Sequence, residues 1–368
     1  MPVHRAPAAV RPRMRVLVTG GAGFIGSHIV DALLALGIGV RVLDLLDPAV
    51  HPGGTPELDP RADLVIGDVR DPTLVRSCLE GVDAVCHQAA KVGLGVDFGD
   101  VGDYVSHNDA GTAVLLEAMW RRSFHGRLVL ASSMVVYGEG RAGCPQHGEV
   151  VPAPRRPVDL ARGEFDAPCP VPGCAARPRW IAVREDMVVD PSNVYAATKL
   201  HQEHLAAAWG RDAGAPVVAL RYHNVYGPRM PRDTPYAGVA SIFRSRLARG
   251  MSALVFEDGG QTRDFVHVRD VARANLLALT APAIPPGAYN VASGVPHTVL
   301  DMAAALAAGM GPPAPDPVVT GQWRIGDVRH IVASARKATD VLGFVAATPF
   351  ETGMAELARA PLRAASTV

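Results

Sequence analysis

Lysine is nearly missing from this chain: Lys91, Lys199 and Lys337 are its lysines, and histidine apart, every other basic side chain is arginine. With its richness in alanine, glycine and proline, this reads as a coding bias without functional meaning. A lysine that persists against the bias marks a place where a compact ammonium is wanted. Net charge is also missing, with 36 basic against 36 acidic side chains. That balance excludes a global electrostatic drive toward nucleic acid or an anionic membrane surface. No apolar run approaches the ~20 residues a membrane helix needs. The stretch from Met1 to Arg13 carries His4, Arg5, Arg11 and Arg13 but no apolar segment, so it does not read as a secretory signal. It is expected to be a disordered extension, with Met14 opening the fold and the protein residing in the cytoplasm. Cysteine is sparse and odd in number (Cys78, Cys86, Cys144, Cys169 and Cys174), which excludes a disulfide framework.

What is present is a long, apolar-rich chain: 368 residues, 48% hydrophobic, enough for a large α/β domain and a smaller companion. Short apolar runs at Arg15–Thr19, Val40–Asp44, Asp63–Gly67, Asp83–His87, Arg127–Ser133 and Pro216–Arg221 read as strands. Helical patterns lie between them, as at Gly111–Trp120 and Ser192–Gly210. Strand alternating with helix predicts a Rossmann-type, doubly wound parallel sheet covered on both faces. The sequence shows no internal repeats. After Arg221 the alternation loosens, Ser241–Arg249 looks helical, and Pro312–Pro317 is a proline-rich linker. This predicts a dinucleotide-binding domain over 14–222, interrupted by an irregular insertion at 139–190. Residues 266–290 are expected to return to that domain, and 223–265 with 291–368 to form a mixed α/β substrate domain.

Gly20, Gly23 and Gly26 end the first strand and open a helix at Phe24 and Ile25. The first permits a tight turn, the second lets backbone approach a pyrophosphate, and the third allows close helix–strand packing, while the helix N-terminus offers amides to the anion. Asp44, ending the second strand, is placed for the adenosine ribose hydroxyls and would repel a 2′-phosphate, favouring NAD over NADP. Its alternative role is to start a turn. Asp68, beside Val69, is placed to reach the adenine amine, and Ala89 and Ala90 are small enough for the cofactor to pass. Asn108 reads either as a cofactor contact or as an N-cap.

Tyr195 and Lys199 lie one helical turn apart. An ammonium there, together with the positive nicotinamide ring, is expected to lower the tyrosine's pKa from its ordinary value near ~10 toward that of a usable base. Ser133, ending the fifth strand, can hydrogen-bond both the phenol and a substrate oxygen.

Thr19–His28, Ser132–Gly138, Tyr195–Lys199, Leu220–Arg229 and Arg263–Val268 together resemble the extended short-chain dehydrogenase/reductases. The resemblance is to the nucleotide-sugar epimerase/dehydratase group and spans Met14 to about Ala346. It implies a tightly bound NAD, catalysis by Ser133, Tyr195 and Lys199, and a homodimer formed through the helices flanking Gly111 and Ser192. It also implies that Asn224 contacts the substrate and that Arg263 and Arg324 bind its pyrophosphate, against the alternative of surface ion pairs. Dehydratases of the group place an acid directly after the catalytic serine or threonine, whereas this chain has Met134 and Val135. The resemblance therefore points to C4 epimerisation of a dTDP- or UDP-sugar through a 4-keto intermediate, nearest to dTDP-L-rhamnose 4-epimerase-like and UDP-glucose 4-epimerase-like sequences. The alternatives are a decarboxylase or oxidoreductase on the same scaffold, or a non-catalytic NAD-sensing scaffold.

Fifty-eight positions separate Tyr137 from Tyr195, more than the group usually needs. Within them lie Cys144, His147, Cys169 and Cys174, whose spacing suits a structural zinc site, free thiols or a disulfide.

Overall fold

The computed structural model describes residues 14–48, 50–51, 56–93, 98–232 and 238–361. The expectation of a disordered segment over 1–13 lies outside them, as does the end of the expected 291–368 segment.

Seven strands form one all-parallel sheet: β1 (Arg15–Thr19), β2 (Gly39–Asp44), β3 (Asp63–Ile66), β4 (Ala84–His87), β5 (Arg127–Ser133), β6 (Val217–Tyr222) and β7 (Gly287–Val291). Their spatial order is β3-β2-β1-β4-β5-β6-β7. This is the doubly wound arrangement, with its order reversing between β1 and β4, where a crevice opens at the carboxyl ends of the strands.

The alternation within β1 shows how the sequence builds both layers. Val16 and Val18 face a core made with helix α1 (Phe24–Ala35), while Leu17 faces the opposite core. The second face is covered by α2 (Pro72–Cys78), α3 (Gly111–Arg121) and α4 (Val194–Ala213), which contribute Val75, Leu115, Met119 and Trp209. On the first face α1 packs against α5 (Val268–Thr280), so the chain re-enters the sheet's layers after its excursion. Strand β7 follows α5. Its Asn290 is fully buried among apolar neighbours, and that polar interruption hides the strand from a hydrophobic pattern.

A third core joins Tyr226, Phe243, Phe265, Met302, Leu306, Met354 and Leu357. It lies under helices Val239–Ala248, Val299–Met310 and Phe350–Arg359, beside a small sheet of strands Asn224–Tyr226, Thr262–His267 and Pro296–Thr298. The segment between the Ser133 and Tyr195 motifs folds separately as a three-stranded antiparallel sheet. Its strand Arg141–Cys144 lies between Gly148–Val150 and Arg179–Ile181.

Candidate functional site

The glycine loop stands at the carboxyl end of β1. Gly20 has a φ of +67°, and a Cβ there would lie 2.6 Å from the backbone nitrogen of Ala89, so only glycine fits this turn. A Cβ on Gly26 would meet the Gly20 carbonyl oxygen at 2.1 Å, which fixes the close approach of α1 to the loop. Gly23 is the N-cap of α1, and no side chain caps the helix there, so the first-turn amides at Phe24, Ile25 and Gly26 are left for an anion. The Phe24 and Ile25 side chains turn away from that role, packing on the third core and the sheet core respectively.

Asp44 makes the turn that was its alternative reading, and it also braces the glycine loop. Its carboxylate accepts from Leu46 N at 3.0 Å, making a turn, and from Ala22 N at 2.9 Å, tying β2 to the glycine loop. Asp68 is held by Arg70 through several short hydrogen bonds, and Arg70 reaches on to Ser106. These bonds hold the Asp68 carboxyl below the usual range. Val69 packs so closely on Gly111 that a Cβ there would lie 2.8 Å from it.

Helix α4 presents the tyrosine and the lysine. Asn193 starts it, its side chain accepting from Ala196 N at 2.8 Å, so Tyr195 sits in the first turn where the helix dipole favours an anionic phenolate. Tyr195 faces Ser133 at the end of β5, close enough for that hydroxyl to ease its ionisation, and its ring lies 6.2 Å from that of Tyr104. Burial nevertheless pushes the phenol up to about 12, with the Ser133 hydroxyl only partly opposing it. Lys199 is 3% exposed, and burial lowers its pKa to about 8. Its ammonium donates to Gln202 Oε1 at 2.9 Å, one turn along the helix. Burial thus dominates at the phenol, and the ammonium expected to act on it jointly with the nicotinamide ring is held by Gln202.

Gln202 belongs to a buried polar chain that joins the two halves of the site. Its amide donates to Thr112 Oγ1 at 2.6 Å and to the Asn108 carbonyl at 3.1 Å. Thr112 meets one nitrogen of His87 at 2.9 Å, and the other nitrogen meets Thr19 Oγ1 at 2.7 Å, next to the glycine loop. Burial, aided by the Lys199 charge, lowers His87 to about 3, so the imidazole is neutral and links the two hydroxyls. Asn108 is no N-cap: it lies within a continuous run of helix, in a π-helical turn from Val105 to Ala110. Its amide pairs with both backbone groups of Lys91 and donates to Thr198 Oγ1 at 2.9 Å, linking the loop after β4 to α4.

A second buried cluster supports Ser133 from behind. Ser132 donates to Glu203 Oε1 at 2.5 Å, and Glu203 takes a bidentate pair from Arg221 at 3.0 and 2.8 Å. Arg221 also donates to Tyr137 Oη at 2.9 Å, and Tyr137 donates to Asn290 Oδ1 at 2.8 Å. Strands β5, β6 and β7 and helix α4 are thereby fixed to one another beside the catalytic serine.

In the C-terminal portion, the Asn224 side-chain oxygen is buried without a partner among the described residues, and burial lowers neighbouring His223 to about 3. Arg263 is not a surface ion pair. Its guanidinium is half-buried and donates to the carbonyls of Thr262, Arg329 and Val328, and burial lowers its pKa to about 10. Arg324 is exposed and lies over the Phe256 ring at 4.8 Å.

With the glycine loop, the acid ending β2 and the Ser–Tyr–Lys group gathered at one sheet edge, similarity to known proteins becomes informative. Residues 16–162 and 174–292 match the NAD dependent epimerase/dehydratase family. This chain belongs to that family. The member dTDP-L-rhamnose 4-epimerase of Burkholderia thailandensis is 35% identical over 93% of each chain. A dTDP-glucose 4,6-dehydratase of Actinoplanes sp. is 30% identical over 93% of this chain and 96% of its own. Among solved structures, UDP-glucose 4-epimerase of Thermus thermophilus in complex with NAD shares 31% identity at a TM-score of 0.72, over 94% of this chain and 98% of its own.

As a member of an NAD-dependent family, the chain has residues that fit the cofactor: an uncapped helix start, a glycine turn admitting no side chain, and a carboxylate fixed to that turn. The family match omits 163–173, which places Cys169 outside the shared pattern. The structure brings Cys144, His147, Cys169 and Cys174 together, their ligand atoms all within 4.8 Å of one another. Sequence reasoning missed Thr19, His87, Thr112, Gln202, Glu203 and Arg221. An arginine near the end of an otherwise apolar strand was the signal available for the second cluster.

Proposed function

We propose that this protein epimerises a dTDP- or UDP-linked sugar at C4 through a transient 4-keto sugar. The observation that carries the reading is the carboxyl edge of β5. Ser133 faces Tyr195 there, and the turn that follows, Met134–Tyr137, begins with Met134 and Val135, side chains with no proton to transfer, where the resemblance gives dehydrating members an acid. The carboxylate that touches this segment, Glu203, is already engaged by Ser132 and Arg221, so it is not free to move a substrate proton.

Ser133 holds the sugar 4-oxygen, and Tyr195 takes its proton as a phenolate favoured by the helix N-terminus and the nearby ammonium. NAD, when bound, supplies a hydride acceptor at C4 and a donor for the return step. Lys199, held by Gln202, orients the ribose side of the cofactor and keeps positive charge near the phenol. Asn224, with its unpartnered buried oxygen, meets the sugar, and Arg324 meets the pyrophosphate. Arg263 already serves three carbonyls, so it shapes the phosphate pocket and offers its remaining charge. Asp44 reads the ribose hydroxyls, Asp68 and Val69 border the adenine, and Ala89 and Ala90 let the cofactor pass. The reading includes a homodimer through the outer faces of α3 and α4 and a cytoplasmic location, where nucleotide sugars are made.

The test is incubation with a panel of UDP-, dTDP- and GDP-sugars. A C4-inverted product without net NAD reduction is expected, whereas accumulating NADH or released CO2 would reject epimerisation in favour of an oxidoreductase or decarboxylase.

A further inference from the structure

The middle of the insertion between the Ser133 and Tyr195 motifs has almost no core, although its ends pack Val183 and Met187 against Val136 and Tyr137. From Pro145 to Pro178 only Leu160 and Cys169 are buried, too little apolar surface to order so long a segment. Yet the segment is arranged and makes demanding contacts. Arg155 pairs with the buried Glu257 at 2.7 Å, and Asp166 accepts from Arg329 at 2.9 Å and pairs with His330 at 3.0 Å. Something must hold these two anchors in place.

Cys144 ends one strand of the small sheet, and His147 lies in the turn that leads, through Gly148 at a φ of +70°, into the next. Cys169 and Cys174 flank a second tight turn, closed by Cys174 N donating to Val171 O at 3.1 Å. The two turns face each other. His147 Nδ1 is 3.5 Å from the sulfur of Cys144 and 3.5 Å from that of Cys169, and the sulfurs of Cys144 and Cys174 are 3.9 Å apart. A disulfide needs sulfurs at about 2.05 Å. A tetrahedral zinc ion, bonded to sulfur at about 2.3 Å and to nitrogen at about 2.0 Å, separates its ligand atoms by about 3.8 Å (sulfur to sulfur) and about 3.5 Å (sulfur to nitrogen). These three distances match the metal polyhedron, and all four ligand atoms lie within 4.8 Å of one another. One imidazole nitrogen equidistant from two sulfurs also fits a shared central cation, since a single lone pair accepts from only one thiol at a time. Cys174 Sγ also donates to Gln146 Oε1 at 3.2 Å.

We propose that Cys144, His147, Cys169 and Cys174 bind one zinc ion, and that this ion replaces the missing core of the insertion. Four protein ligands leave no open coordination position, so the site is structural, not catalytic. Binding converts three thiols to thiolates and releases their protons to solvent, with the imidazole neutral. The proposal is independent of the reaction assigned to Tyr195.

Elemental analysis of the intact protein, purified without added metal, should find one zinc per chain; less than about half an equivalent overturns the proposal. Cobalt supplied in place of zinc during expression should give the visible bands of a tetrahedral site and thiolate-to-cobalt charge transfer. An octahedral cobalt spectrum would contradict the ligand set even if Cys-to-Ser variants fail to fold. Cys169→Ser should lose the metal, whereas unchanged zinc content in that variant would also overturn the assignment. Chelation should make the chain cleavable by protease between 145 and 178 while bound NAD stays unchanged.

Discussion

Tyr195 is asked to hold a charge that its surroundings resist. Burial, only partly opposed by Ser133, sets its phenol at about 12, so ionisation near neutrality depends on positive charge arriving with the cofactor and on the amides of the first turn of α4. Tyr195→Phe should lower kcat by about 10²–10⁴ while NAD co-purifies as in the wild type, because the lost hydroxyl serves proton transfer. Lys199 carries the complementary tension. Its pKa is lowered to about 8 in the folded chain, against ~10.4 when unfolded, so the charged form destabilises the fold below about pH 8, and stability rises as pH climbs from 8 toward 10. Lys199→Met should abolish turnover yet stabilise the NAD-free protein at pH 7, by on the order of 2–3 kcal/mol. It should also flatten the rise in stability between pH 8 and 10. Thermal melts across that range, with NAD removed, check both signs.

At the level of elements, the site depends on how α4 is fastened to the strand ends. The Glu203–Arg221 pair is almost fully enclosed, at 9% and 6% side-chain exposure, and it carries both Ser132 and Tyr137. Glu203→Gln leaves a guanidinium buried without its countercharge, and a loss of about 3–5 kcal/mol in denaturant unfolding is expected. Gly26→Ala acts differently: its methyl would meet the Gly20 carbonyl at 2.1 Å, so α1 must move off the loop. The expected outcome is protein that purifies without NAD, measured as the absorbance of cofactor released on denaturation. These elements also show what a sequence can and cannot display. Gly20, Gly23, Gly26 and the Tyr195–Lys199 pair are legible because their chemistry is written in local spacing. Asn108 reads as an N-cap or a cofactor contact because its partners, Lys91 and Thr198, are distant in sequence and meet only in the fold. The same distance hides Gln202, which bonds to Thr112 across 90 positions. The four metal-type side chains are visible as residue types, but their convergence needs the two turns to be seen facing each other.

For the whole molecule, two buried polar networks converge on one edge of a seven-stranded sheet. One runs from Lys199 through Gln202, Thr112 and His87 to Thr19 at the glycine loop, and the other runs from Ser132 through Glu203, Arg221 and Tyr137 to β7. Cofactor loop and catalytic helix are thus mechanically joined, which suits a reaction that must give up a hydride and take it back without releasing the cofactor. The most direct measurement follows a label at that carbon. With dTDP- and UDP-hexoses deuterated at C4, the account predicts a C4-inverted product that keeps its deuterium at C4, with the NAD oxidised at the end of the reaction. Deuterium found at C6, as water loss between C5 and C6 would place it, or accumulated in free NADH would contradict the account.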